Sequence, residues 1–591
     1  MEKVNLTING IPVSVPKDYT VLLAAREAGI DIPTLCYLKD INEIAACRVC
    51  VVEADVNGVP MRNLPASCVL QVAEGMNVRT NTPQVRKAVK TNVELILANH
   101  NRECLTCNRN QTCELQALCD KLGIKDVKYE GAKRESTIDE LSPSIVRDAS
   151  KCILCGRCIS TCRDMQGIGV LDFTKRGFRT EVAPAFDFSM RDANCTYCGQ
   201  CIIACPVAAL RERQYIDEVF DAIADPDKYV VVQEAPGVRA SLGEEFGMPI
   251  GTPVTGKMYA ALKRLGFDKV FDTNFSADLT ILEEGTELLG RITKGGKLPM
   301  ITSCSPGWIR YCEMFYPDLL DNLSTCKSPQ QMFGALVKTY FAQKQGIDPK
   351  KIVSVSIMPC TSKKGEAQRP EMLVDGLSDV DYVLTTRELG DMIKQAGIMF
   401  ESLPDADPDP LMGEGTGAGV IFGATGGVME AALRTVADIL TGQDLANIEY
   451  SAVRGIEGVK TASAVLPIGG VDTEVKVAVA HGTKNAGKLM DLVRAGELDV
   501  HFIEIMACPG GCVHGGGQSF VCAKDRIDIN PRVNRANALY SEDQRLPERK
   551  SHKNAEVQAL YKDFLGEPNG HLSHKLLHTH YAKRPTYVVN E

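Results

Sequence analysis

Four cysteines in the second half of this chain stand at the ends of apolar runs, where an α/β fold would bring them together. Val500 to Met506 runs into Ala507-Cys508-Pro-Gly-Gly-Cys512-Val-His-Gly-Gly-Gly517, so two thiols sit in one glycine-rich turn. Pro299 to Ser303 ends at Cys304, and Val353 to Pro359 ends at Cys360. Strand ends that converge at one edge of an open α/β sheet are where such folds bind ligands. Four thiolates gathered there would hold an iron–sulfur cluster.

The chain has 23 cysteines, and 16 of them precede residue 206 in tight local groups. Cys36, Cys47, Cys50 and Cys68 have the spacing C-x10-C-x2-C with a distant fourth. This suits a plant-type ferredoxin fold with a 2Fe–2S cluster, although it differs from the commoner C-x4-C-x2-C loop. His100-x3-Cys104-x2-Cys107-x5-Cys113 offers one imidazole and three thiolates. That set suits either zinc or a 4Fe–4S cluster with a histidine ligand. Cys119 breaks the pattern and reads as a non-ligand. Cys152-x2-Cys155-x2-Cys158-x3-Cys162 recurs as Cys195-x2-Cys198-x2-Cys201-x3-Cys205-Pro206. In the two-cluster bacterial ferredoxin repeat the fourth cysteine of each run ligates the other cluster. Cys152, Cys155, Cys158 and Cys205 should therefore hold one 4Fe–4S centre, and Cys195, Cys198, Cys201 and Cys162 the second. Cys312, Cys326 and Cys522 have no ligand spacing and read as small core residues.

At 591 residues the chain should hold several domains. The net charge of −9 and the lack of a dense Lys/Arg run argue against nucleic-acid binding. The N-terminal segment has no apolar core and no twin arginine, and no apolar stretch approaches the ~20 residues that span a bilayer. A cytoplasmic location is expected, where clustered cysteines are metal ligands rather than disulfides. Alternation around Asn9-Gly10 predicts a hairpin over residues 3–16. Helices are predicted over Val21 to Ala28 and Gln84 to Asn99, and a charged link over 214–228. Beyond it, short β-rich runs alternate with helical stretches: 229–233, 299–303, 351–357, 381–385, 419–422, 475–480 and 500–506. That pattern argues for parallel sheet covered by helices. The fold class is multidomain, α+β then α/β. Its parts are a plant-type ferredoxin domain (1–80), a His/Cys₃ module (81–125), a two-cluster ferredoxin domain (140–212), an α/β domain (225–520) and a tail (521–591). The tail carries His571, His574, His578 and His580, and reads as a solvated helical segment packed on the preceding domain more than as a histidine metal site.

Thr302-Ser-Cys304-Ser305-Pro-Gly-Trp308, Met358-Pro-Cys360-Thr-Ser-Lys363-Lys-Gly-Glu366 and Glu504 to Gly517 resemble the three signature motifs of the FeFe hydrogenases, in order and in separation. The resemblance implies an α/β catalytic domain of two lobes and a small-subunit-like tail. It implies an H-cluster: a 4Fe–4S cubane joined through one cysteine to a two-iron subsite with CO, cyanide and a bridging dithiolate amine. By position Cys512 is the bridging ligand, and Cys360 and Cys508 hold the cubane. The family favours a 4Fe–4S cluster on His100, giving three such centres and one 2Fe–2S outside the H-cluster. The family usually has two adjacent cysteines in the first motif, the first passing protons and the second ligating. Here Cys304 is followed by Ser305. A thiolate is the better iron ligand, so Cys304 is preferred as the cubane ligand, with Ser305 in the relay or, alternatively, ligating. Lys363 matches a lysine that contacts cyanide. Pro236, Gln330, Met358 and Met506 match positions lining the subsite, and Gly237 stands where many relatives have serine. Glu284, Glu287 and Ser324 match the proton path, although three-apart glutamates alone would usually mark a solvated helix face.

No nucleotide-binding motif appears, so electrons must pass to another protein. The preferred reading is the catalytic subunit of a multisubunit NAD(P)-linked FeFe hydrogenase, a class that includes electron-bifurcating enzymes. Flavin, nicotinamide and further iron–sulfur centres would then lie on partner subunits, with ferredoxin as another acceptor. The alternatives are a single-chain ferredoxin-dependent hydrogenase, a sensory hydrogenase, a relay subunit like that of complex I, and a hydrogenase-like assembly protein. The relay reading leaves residues 299–517 unexplained, and the assembly reading leaves the N-terminal cysteine array unexplained.

Overall fold

A computed structural model describes residues 2–443, 449–468 and 471–588. Lys3–Ile8 and Ile11–Pro16 form the expected hairpin. Asn9 and Gly10 both take positive φ, 52° and 82°, as a two-residue turn requires. The hairpin is the edge of a five-stranded sheet completed by Met76–Arg79, Glu53–Val56 and Val59–Pro60. Helix Pro83–Asn99 follows, started by the Thr82 hydroxyl, which accepts from the Val85 amide, and by proline in its first turn. It buries Val85, Val89 and Val93, spaced for one helical face. In the next module Ile145–Asp148 pairs with Leu210–Glu212. The short helices Arg157–Ser160 and Gln200–Ala204 each carry cysteines and each begin after a glycine with positive φ.

Two four-stranded sheets build the larger domain. One is fully parallel, in the order Lys269–Asp272, Tyr229–Glu234, Ile352–Met358, Tyr382–Thr385. Its strands are continuous apolar runs such as Val230-Val-Val232, as expected where helices cover both faces. The other runs Met300–Ile301, Phe502–Met506, Val471–His481, Val459–Ile468, with only the last pair antiparallel. Helix Asn274–Lys294 packs on Pro329–Leu336, Gly417–Ile421 and Gly427–Thr441 and is buried along most of its length, Glu283 and Glu284 included.

Several expectations are corrected. Residues 419–422 are not a strand but lie on helix Gly417–Ile421 and its C-cap. A short apolar run gives no periodicity to separate the two, and this helix is buried on every side. The charged link at 214–228 contains helix Ile216–Ala224, whose Ile216, Val219 and Ala222 share one buried stripe. The tail is less solvated than its composition suggests. Helices Pro531–Arg545, Ala555–Leu560 and His571–Leu577 bury Leu539, Val557, Leu560, Leu576 and Leu577 against the larger domain. No helix among the described residues is long and apolar enough to cross a membrane.

One buried ion pair ties the second cysteine motif to the parallel sheet. Lys364 Nζ lies 2.8 Å from Glu388 Oε2, with both side chains fully buried. Glu388 also accepts from the Thr385 amide at 2.7 Å and so starts the next helix. Lys364→Ala would leave that carboxylate unpaired, at a cost of about 3–5 kcal/mol. The calorimetric unfolding midpoint of the larger domain is expected to fall by several degrees, and an unchanged midpoint would contradict the assignment.

Candidate active site

The carboxyl ends of both sheets open on one hollow. Met358 leads to Pro359 and Cys360, Met506 to Ala507 and Cys508, Ile301 to Cys304, and Glu234 to Pro236. Cys304, Cys360, Cys508 and Cys512 all line it, together with Pro236, Gln330, Met358, Lys363 and Met506. Burial pushes every one of the four thiols upward: Cys304 and Cys508 well above the ordinary thiol value, Cys360 upward, Cys512 to about 12. Thiolates in such dry surroundings need bound cations to exist, and metal loading supplies them. The donor set therefore fits an iron–sulfur group.

Among the described residues, Lys363 is the one cation on the wall of the hollow. Its ammonium donates to Glu366 Oε2 at 2.9 Å and to the Cys304 carbonyl at 3.2 Å. Glu366 Oε2 also accepts from Ser328 Oγ and Gln330 Nε2. No chemical role for Glu366 is apparent from its place in the motif, yet it aims both Lys363 and Gln330. Cys304 and Ser305 face different neighbours. Besides burial, the Glu284 carboxylate is the group that raises the Cys304 thiol most. The Ser305 hydroxyl accepts from the Ala507 amide at 3.2 Å, beside Cys508. Gly237 offers its carbonyl to Gln518 Nε2 at 2.7 Å and no side chain to the site.

Glu284, Glu287 and Ser324 come together on the far side of Cys304. Glu284 is 2 % exposed, and burial, reinforced by Glu287, pushes its carboxyl up to about 7. Ser303 Oγ lies 3.4 Å from Glu284 Oε1, and Ser324 Oγ donates to Glu287 Oε2 at 2.9 Å. Arg291 closes the line with a 2.6 Å contact to Glu287 Oε1. Arg291 is marked by no motif in the sequence, and Ser303 lies inside the first motif without any role read for it there.

The cysteines of the N-terminal region are also gathered. Cys50 and Cys68 sulfurs are 3.4 Å apart, and Cys36 hydrogen-bonds Cys47. One small hollow is lined by Cys152, Cys155, Cys158 and Cys205, another by Cys162, Cys195, Cys198 and Cys201. A third is lined by His100, Cys104 and Cys113, with Cys119 beside them. His100 Nδ1 is buried without a partner, and burial lowers the imidazole to about 4, leaving it neutral as a ligand must be. The loop around Cys198 is clamped onto the catalytic segments. Thr361 Oγ1 and Ser362 Oγ donate to the carbonyls of Tyr197 and Thr196, and Gln166 Nε2 donates to the Ala507 carbonyl. Gly516 lies against the Cys198 carbonyl, where a Cβ would stand only 2.4 Å from that oxygen.

With that geometry in view, the comparisons with known proteins agree throughout. Residues 228–516 match the model of the iron only hydrogenase large subunit, C-terminal domain, and 528–584 the iron hydrogenase small subunit. Residues 1–83 match a 2Fe-2S binding domain, 90–128 the NADH-ubiquinone oxidoreductase-G iron-sulfur binding region, and 151–209 a 4Fe-4S dicluster domain. The chain is 49% identical to the NADP-reducing hydrogenase subunit HndD of Solidesulfovibrio fructosivorans, over 99% of this chain and 100% of that one. The chain belongs to the FeFe hydrogenase family. This hydrogenase is also 45% identical to iron hydrogenase 1 of Clostridium pasteurianum, over 98% of this chain and 100% of that one. The solved structure of a variant of the FeFe hydrogenase HydA1 from Chlamydomonas reinhardtii covers 63% of this chain and 99% of its own, at 44% identity and a TM-score of 0.56.

The raised Glu284 carboxyl gives a direct expectation for this FeFe hydrogenase. Its value of about 7 exceeds the ordinary 4.5. The folded chain therefore keeps a proton that the unfolded chain loses between those values, and Glu284 lowers stability as pH rises through that window. A protonated-carboxyl infrared band should titrate near neutrality and vanish in Glu284→Gln. A band that titrates near 4.5 would contradict the buried placement. Gly516→Ala is expected to displace the Cys198 loop and alter the paramagnetic coupling between that site and its neighbour. An unchanged spectrum would contradict the clamp.

Proposed function

We propose that this FeFe hydrogenase is the H2-converting subunit of a larger NAD(P)-linked assembly. The observation that carries the catalytic part is the convergence of Cys304, Cys360, Cys508 and Cys512 on one hollow beside the Lys363 ammonium and the buried Glu284. Bound there, the H-cluster would supply the site at which H2 is split or formed. Cys360, Cys508 and Cys512 would hold it. The Lys363 ammonium, aimed by Glu366, suits an anionic diatomic ligand. Pro236, Met358 and Met506 provide an apolar lining that excludes water.

The preference for Cys304 as cubane ligand is reversed in this proposal. Cys304 feels Glu284 more than any other charged group, which suits a thiol that hands protons to and from that carboxyl. Ser305, beside Ala507 and Cys508, takes the fourth cubane position. Protons then move between Cys304 Sγ, Glu284, Ser324 Oγ and Glu287, with Glu284 suited to exchange at neutral pH.

Electrons leave past Cys198, which lies next to Cys508. Cys36, Cys47, Cys50 and Cys68 would hold one 2Fe–2S centre, and three 4Fe–4S centres, including one on His100, Cys104, Cys107 and Cys113, would supply the onward electron transfer. The domain limits at 1–80, 81–125, 140–212, 225–520 and 521–591 separate these stages. Nicotinamide and flavin reside on partner subunits, which is supported by the match along the whole chain to an NADP-reducing hydrogenase subunit. The comparable match to iron hydrogenase 1 favours, as a second reading, direct exchange with ferredoxin. A flavin-containing chain that co-purifies decides for the first, and an isolated chain that exchanges electrons with ferredoxin decides for the second.

The matured protein is expected to show infrared bands of CO and cyanide on iron. A fully iron-loaded, matured sample without them would remove the assignment. Cys304→Ser should keep those bands and lose turnover by at least ~100-fold, because a hydroxyl releases its proton far less readily than a thiol. Ser305→Cys should keep the bands and shift the cubane's potential. Loss of the cubane in Cys304→Ser would return the ligand role to Cys304.

A further inference from the structure

We propose that Gln166 is a positioning residue for electron transfer: its carboxamide NH2 group holds the Cys198 sulfur against the Ala507 carbonyl and raises the reduction potential of the centre on Cys198. The inference rests on the reading of Cys162, Cys195, Cys198 and Cys201 as the ligands of one 4Fe–4S centre. Those four thiols and Gln166 line one hollow. Gln166 is fully buried. Its Nε2 donates to Cys198 Sγ at 3.5 Å and to the Ala507 carbonyl at 2.9 Å, one hydrogen to each. Both neighbours are acceptors, so the nitrogen and not the oxygen must stand there. Oε1 has no donor and lies against Gly482, where a Cβ would stand 3.4 Å from it. Leaving a buried amide oxygen unpaired costs about 1–3 kcal/mol. The fold tolerates this and keeps both hydrogens on the sulfur and the carbonyl.

The cysteine repeat supplies its own comparison. Gln166 stands four residues past Cys162, and Ala209 stands four past Cys205. Each faces the centre to which its run lends its last cysteine, and Ala209 lines the hollow of Cys152, Cys155, Cys158 and Cys205. Backbone amides treat the two runs alike. Leu154 N–H donates to Cys152 Sγ and Tyr197 N–H to Cys195 Sγ, both at 3.4 Å. The carboxamide is thus an addition to one centre, in a place where the other has a methyl group. That centre is the one beside the catalytic hollow, since Ala507 precedes Cys508. An N–H donor to a ligand sulfur stabilises the added negative charge of the reduced state, and such bonds are among the factors that set iron–sulfur potentials. The bond therefore favours the electron on the Cys198 side of the Ala507 peptide. The place of the side chain is set from the larger domain. Thr483 Oγ1 donates to the Gln166 carbonyl at 2.5 Å, and Lys484 Nζ to the Asp164 carbonyl at 2.8 Å.

The test is a redox titration of matured, full-length protein, followed by paramagnetic resonance. Cys198→Ser changes one ligand and marks the signal to follow. Gln166→Leu keeps most of the side chain's bulk and removes both N–H groups. At the wild-type midpoint of that signal, the ratio of reduced to oxidised centre is expected to fall on the order of 10-fold, which is about 59 mV for one electron. CO and cyanide bands and the iron content should persist. In deuterated solvent, pulsed spectra of the reduced wild type should show one coupled exchangeable deuteron more than those of Gln166→Leu. Thr361→Val is the comparison for packing alone. It removes the 2.7 Å bond to the Tyr197 carbonyl, next to Cys198, without touching the sulfur, and should leave the midpoint where it is. If Gln166→Leu keeps the wild-type midpoint, or Thr361→Val shifts it equally, the donor role is overturned. If Cys198→Ser alters no signal, Cys198 is not a ligand, and the underlying reading falls with the inference. Should Gln166→Leu lose iron, Gln166→Met, unbranched and of the same reach, decides in its place.

Discussion

Four thiols line one hollow inside the protein, and the rest of the structure follows from that. Burial raises each of them, so none is a stable thiolate on its own. A bound iron–sulfur group makes the arrangement favourable, and the protein must present its ligands to that group from several directions at once. It does so by ending strands of two different sheets at the same place. The third motif supplies two cysteines and then turns sharply, and its glycines let the Cys198 loop approach the catalytic segments. The same contact that closes the cavity thus sets an electron-transfer site against it.

The second constraint is charge. A buried glutamate is costly, and this protein buries Glu283, Glu284 and Glu504. Glu504 accepts from the Gly426 and Met429 amides, both at 2.7 Å, and serves the start of helix Gly427–Thr441. Glu283 is held by the tail. Glu284 has one oxygen without any partner, and its carboxyl is accordingly the one raised to about 7. Glu283 and Glu504 have donors on both oxygens, and Glu284, the carboxyl suited to exchange protons, is left short of one.

The cysteine frameworks were legible because ligand spacing is local and little besides metal binding produces it. The strand ends at Cys360 and Cys508 were legible because β-rich runs stop abruptly at them. Residues 417–421 were not, since a short apolar run has no period and only packing against Asn274 and the tail decides its shape. The burial of the tail was hidden in polar composition, because its few leucines sit at helical spacing among charges that pair with the larger domain, such as Arg535 with Glu244. Gln166 acts through Ala507, far away in sequence, and no local pattern marks it. The roles of Cys304 and Ser305 turn on side-chain direction, which two adjacent letters do not carry.

The most direct measurement is anomalous diffraction at the iron edge from crystals of the matured protein. Iron should appear inside the hollow, with Cys360, Cys508 and Cys512 as thiolate ligands, Ser305 at the fourth corner of the cubane and Cys304 turned toward Glu284. Iron confined to the N-terminal sites, or bound in the hollow by a different set of residues, would contradict the account.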